Sequence, residues 1–164
     1  MLIDLDLKKL KLNPFQSSEN FHCFSIFSSL EDFRIAYFIN KTFKINLVRK
    51  KLDIHENHIN AHFSQYEFLD ETNFLTWKLI NNKSEITHED KSLSSSLYQD
   101  NFNMNVNVSL FEELKDIDYI LLIENILSEN FVSKVLKKLL EIEGLIMAQV
   151  STKTLKNKEN LIFS

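Results

Sequence analysis

From Ile117 to Ile123 the chain reads I-D-Y-I-L-L-I, apolar at nearly every position. A half-exposed strand alternates apolar and polar residues, so an unbroken run like this predicts a strand covered on both faces. Part of the cover is legible just downstream. Ser128 can cap a helix in which Phe131, Val132, Val135, Leu136, Leu139 and Leu140 form an i, i+4 stripe, with Lys134, Lys137, Lys138 and Glu141 opposite. Gly144 follows the last turn, where a left-handed C-terminal cap is wanted, and residues 145–151 read as a final strand.

Upstream, residues 21–28 read as an aromatic-rich strand. Ser29 and Asp32 resemble a capping box, and Leu30, Phe33, Ala36, Tyr37 and Asn40 recur on one face, which predicts a helix over about 29–44. Residues 46–54, 59–68 and 74–81 are β-branched or aromatic runs separated by polar turn residues, as in a three-stranded antiparallel meander. The middle run changes phase: Ile59, Ala61 and Phe63 are odd-numbered, whereas Tyr66 and Phe68 are even-numbered. A bulge near Ser64 and Gln65 would account for this. Residues 2–12 alternate aliphatics with Asp and Lys, as an added strand or a flexible lead-in spanning 1–20. Residues 82–107, rich in Ser, Asn and Asp, read as a mobile insertion contributing little to the core. The order predicts a single α+β domain over 1–164. Its expected form is a two-layer sandwich, a mainly antiparallel sheet of five or six strands with two helices packed on one face.

Only one Gly and one Pro occur in 164 residues. A phosphate-cradling loop needs glycines that let backbone N–H groups approach the ligand, so Walker and dinucleotide-binding fingerprints are excluded. A net charge of −4 gives no global attraction to nucleic acid or anionic membranes. The lone Cys23 cannot form an internal disulfide and fits a reducing, cytoplasmic setting. The N-terminal M-L-I-D-L-D-L lacks the basic and apolar regions of a signal peptide, and the aliphatic run at 120–123 is too short to span a bilayer.

The segment L-F-E-E-L-K-D-I-D-Y-I-L-L-I-E, residues 110–124, resembles the signature of the IPExxxVDY family, small bacterial proteins without an established function. Glu113, Asp118 and Tyr119 match it, and Ile117 is conservative for Val. Phe111 and Glu112 depart from its Ile-Pro start, which restores backbone freedom and a donor before the strand. S-Q-Y-E-F-L-D-E-T-N-F (64–74), L-I-N-N-K (79–83) and L-K-N-K-E-N-L-I-F (155–163) are similar to the family's middle and tail, with an insertion between Glu85 and Leu110. The resemblance implies a bacterial protein and assigns no cofactor.

H-E-N-H-I-N-A-H, residues 55–62, invites a metal reading, but the spacing is wrong for a zincin. On a strand, His58 and His62 would stand about 13 Å apart. Adjacent His22 and Cys23 would point to opposite faces of a strand, as a buried structural thiol rather than a nucleophile–base pair. Glu112, Glu113, Asp116 and Asp118 could serve as acid and base or hold a cation, yet charge runs are usually solvated. Asp118 stands apart because it lies inside an apolar strand, where a carboxylate needs a partner. Arg34 is the candidate, with Asp118 and Tyr119 anchoring a structural polar contact.

No catalytic, cofactor-binding or metal residue is assigned. The first expectation is a nonenzymatic protein-interaction module, with a homodimer as one form, using an uncovered sheet face or the tail. In that tail Lys156 and Lys158 precede apolar Leu161, Ile162 and Phe163, a candidate interaction element. The second is an accessory RNA-associated protein, since members of the resembled family are often encoded near ribonuclease III. An unidentified enzyme comes third.

Overall fold

The computed structural model describes residues 21–89, 103–126 and 128–151. In chain order the elements are β1 (Phe21–Ser28), α1 (Asp32–Phe43), β2 (Val48–Arg49), β3 (Ile54–Glu56), β4 (Ala61–Phe63) and β5 (Gln65–Asp70). They continue with β6 (Leu75–Asn81), β7 (Lys83–Glu89), β8 (Asn103–Ser109), β9 (Tyr119–Glu124), α2 (Glu129–Leu140) and β10 (Leu145–Val150). Six strands form one antiparallel sheet in the order β10-β1-β9-β6-β5-β2. This is an α+β sandwich, and β9 lies inside the sheet with its first five residues buried, as its unbroken apolar run requires.

Period two along the strands sends alternate side chains to opposite cores. Phe24 and Ile26 of β1, Trp77 and Leu79 of β6, and Leu121 and Ile123 of β9 face the helix layer. There they meet Ile35, Ala36 and Ile39 of α1 and Val132, Val135 and Leu139 of α2. Fully burying an aliphatic side chain of this size is worth roughly 1.5 to 3 kcal/mol, so the α2 stripe alone can fasten its helix to the sheet. Leu140, expected in that stripe, is instead exposed. α1 begins at Asp32 with Glu31 as N-cap, later than the capping-box reading implies. The hydroxyl that organises this turn belongs to Ser28, which accepts the Leu30 N–H and donates to the Gly144 carbonyl. Gly144 has φ +93, and a Cβ there would stand 2.5 Å from Leu30 Cδ1, so both the turn and its packing require glycine.

The opposite face is covered too. Two hairpins are inserted into the main sheet, β3–β4 between β2 and β5, and β7–β8 between β6 and β9. Ile54, Ala61 and Phe63 from the first, with Leu110, Phe111, Leu114 and Ile117 from the segment before β9, bury Cys23, Ile80, Ile120 and Leu122. Partly buried Ile86 and Val108 of the second hairpin pack on the same cluster. This corrects two expectations. The phase change at Ser64 is a passage between sheets, β4 facing the hairpin core and β5 the helix core. Residues 82–107, read as a mobile insertion, contain paired strand at both ends and the wholly buried Asn82, while 90–102 lie outside the described residues. The candidate strand 2–12 and the tail 152–164 also lie outside them.

Candidate functional site

Where β1 finishes and β9 begins, this end of the sheet is held by side chains as well as by backbone hydrogen bonds. Asp118, one residue before β9, accepts the Ser28 N–H at 2.9 Å on Oδ2 and the Lys83 ammonium at 2.6 Å on Oδ1. Its own N–H donates to the Ile26 carbonyl, and its carbonyl accepts the Asn82 N–H. Next to it, the Tyr119 hydroxyl donates to the Leu30 carbonyl at 2.6 Å. Asp118 and Tyr119 therefore clamp the β1–α1 connection from its two ends, the structural contact expected of them. The expected cation is wrong: Arg34 is exposed on α1, and Lys83 takes its place. Lys83 follows Asn82, whose backbone is already bonded to Asp118, so the chain delivers the ammonium there without a long-range search.

Asn82 is the polar residue that sequence reasoning missed. It is fully buried, and its amide donates to the carbonyls of Leu114 (2.8 Å) and Ile117 (3.0 Å) while its Oδ1 accepts the Phe111 N–H. Its backbone carbonyl accepts the Leu110 N–H. One side chain thus satisfies much of a turn that has no sheet partner of its own, as buried backbone groups demand. The signal was present in L-I-N-N-K, an amide inside an apolar strand end, but nothing local shows which turn it bonds.

Around this clamp lies an open cleft of about 570 Å³ where the main sheet meets both hairpins. Its walls are the Ser28–Asp32 connection, Asp118 and Tyr119, Lys83 to Glu85, Asp53, and His62 with Ser64. Burial and the negative charges of Asp32 and Asp118 push the Tyr119 phenol well above its ordinary range. The Tyr66 phenol is raised by burial and by Asp32, whose carboxylate lies beside it. Both tyrosines are therefore neutral hydroxyls, suited to hydrogen bonding rather than to proton transfer near neutral pH.

The other singled-out residues fall elsewhere. Glu113 lies on a 3-10 turn, Glu112–Leu114, and lines a separate hollow of about 280 Å³ with Phe27, Asp116 and Ser151. Ile117 is in the hairpin-side core. The carboxylates are thus not gathered in one place: Glu113 and Asp116 line this hollow, Asp118 the cleft, and Glu112 is exposed on the 3-10 turn. His55 and His62 stack across the β3–β4 pair with centroids 4.4 Å apart, while His58 sits in the turn. No cluster of three or more His, Cys, Asp or Glu able to hold a metal occurs among the described residues. Cys23 is buried, and burial pushes its thiol up to about 12, opposed in part by a hydrogen bond with Ser151. An activated nucleophile needs the opposite shift. No helix among the described residues is long and apolar enough to cross a membrane. Comparison with family models, with curated proteins and with solved structures returned no match.

Proposed function

We propose that this chain is a nonenzymatic protein-interaction module of the bacterial cytoplasm, similar to the IPExxxVDY proteins, whose partner engages the β10 edge of the sheet. The observation that carries this reading is the state of β10. It pairs with β1 alone among the described strands, and it displays Ile146 at 75% and Met147 at 43% exposure. An open edge offers a row of backbone donors and acceptors to an incoming strand, and apolar side chains beside it give that strand something to bury. Both broad faces of the sheet are covered among the described residues, so an edge replaces the uncovered face as the contact surface. The inertness of Cys23 and the commitment of Asp118 and Tyr119 to backbone contacts favour binding over catalysis.

The accessory RNA-associated reading is weaker on the sheet itself. RNA-binding sheets display aromatics for base stacking, whereas Tyr66 and Trp77 are buried beneath the helix layer. The test is affinity capture from native extract of the source cells, with and without nuclease, using the natural chain and an Ile146→Lys/Met147→Lys variant. A captured protein that survives nuclease and is lost with the edge variant supports the module. Release by nuclease shifts the assignment to RNA, and equal capture by both chains ends the edge reading.

A further inference from the structure

The charge left over in the cleft is negative. Asp118 is matched by Lys83 and Asp53 by Arg49, which leaves Glu31, Asp32 and Glu85 with no ion pair among the described residues. Asp32 is hydrogen-bonded by two neutral donors, the Phe33 N–H and the Tyr66 hydroxyl, and shares the field of the Arg49 guanidinium with Asp53. A second, independent feature lies on the same wall. Ser64 is 9% exposed, and its hydroxyl is buried with no hydrogen-bond partner among the described residues. Native structures pair nearly all such groups, and an orphan lining a cleft points to a ligand atom that completes it. Ser64 directly follows β4 and lines the cleft with His62, while Phe63 between them enters the core.

We propose that this cleft binds a primary ammonium group, with Glu31, Asp32 and Glu85 supplying charge and the Ser64 hydroxyl accepting one of its protons. A divalent cation needs carboxylates converging on one point, and the described side chains offer no such group. An ammonium carries three donors on a compact charge and tolerates acceptors spread around a wide opening. The cleft volume suits a small organic molecule or a side chain entering from a peptide. The same chemistry could come from a free polyamine or from a lysine side chain of another protein.

The experiment titrates the full chain, nitrogen-15 labelled and at constant ionic strength, with spermidine and separately with acetyl-Ala-Lys-Ala-amide. The same peptide with norleucine in place of lysine is the control. Saturating shifts at the Ser64 and Glu85 amides are expected with at least one ammonium probe and none with norleucine. Saturation by the lysine peptide assigns the site to a protein side chain, and saturation by spermidine alone to a free polyamine. A Glu31→Gln/Glu85→Gln variant changes only exposed positions, and it should weaken binding by about tenfold, on the scale of one charge-assisted hydrogen bond. Ser64→Ala should weaken it by about threefold, the smaller share of a neutral acceptor. Shifts that never saturate, an equal response to norleucine, or unchanged affinity in the Glu31→Gln/Glu85→Gln variant would overturn the proposal. An Ile146→Lys/Met147→Lys variant should bind the probes normally, because the β10 edge is a separate surface.

Discussion

The two faces of the sheet are covered by different physics. On the helix face, two amphipathic helices lay apolar stripes on the strands, and the elements doing the covering satisfy their own backbone. On the hairpin face, the cover is a pair of short hairpins and an irregular turn that cannot satisfy itself. There Asn82 supplies three side-chain hydrogen bonds, and Asp118 adds two more at the sheet's end. A helix layer needs only buried area, whereas a loop layer also needs polar side chains placed where its orphan backbone groups fall.

If that contrast is right, the largest loss should come from a polar residue. Asn82→Leu strands two carbonyls and one N–H in the core, at about 1 to 3 kcal/mol each, so roughly 3 to 5 kcal/mol of stability should disappear. Urea denaturation reads this directly. Leu139→Ala on the helix face should cost somewhat less, about 3 kcal/mol, from lost burial plus the cavity left at a wholly buried position. A larger loss for Leu139→Ala than for Asn82→Leu would break the comparison.

Asp118 sharpens the contrast at the sheet end. Asp118→Ala removes the acceptor of the Ser28 N–H and the partner of Lys83, and should cost about 1 to 2 kcal/mol, while Asp118→Asn, which keeps an acceptor oxygen, should cost less. Unchanged melting temperatures in both variants would remove the structural role assigned to this residue.

The remaining effect is absent at neutral pH. The Cys23 thiol is held at about 12 by burial, against 9.0 for an exposed thiol, so folding favours its protonated form. That contribution is complete below pH 9 and is lost as pH rises toward 12, because the unfolded chain ionises first. Stability measured across this window should fall with a component that Cys23→Ala lacks. An identical alkaline profile in the variant would show that the thiol ionises as easily in the fold as in the unfolded chain.

Legibility followed the same division. The α2 stripe over Val132, Val135 and Leu139 and the buried run in β9 could be read from spacing alone, because helical and strand periods are local properties. The phase change at Ser64 was visible too, but not its meaning, since a bulge and a passage between sheets leave the same local trace. The hairpin layer was misread because β7 and β8 are polar, as strands resting on a core by only a few residues can be. Composition alone made them look like a loop.

By itself the sequence determined that this chain builds a covered antiparallel sheet with two helices, and that Asp118 must find a partner, since an apolar strand cannot hold a lone carboxylate. Only the tertiary structure decided that the partner is Lys83, that Asn82 stitches the turn before β9, and that acidic groups from the β1–α1 connection, α1 and β7 share a cleft with a Ser64 hydroxyl unpartnered among the described residues. Each of these joins residues distant in sequence, through strand register and hairpin placement. Those follow from the packing of the whole chain and leave no period in any one segment.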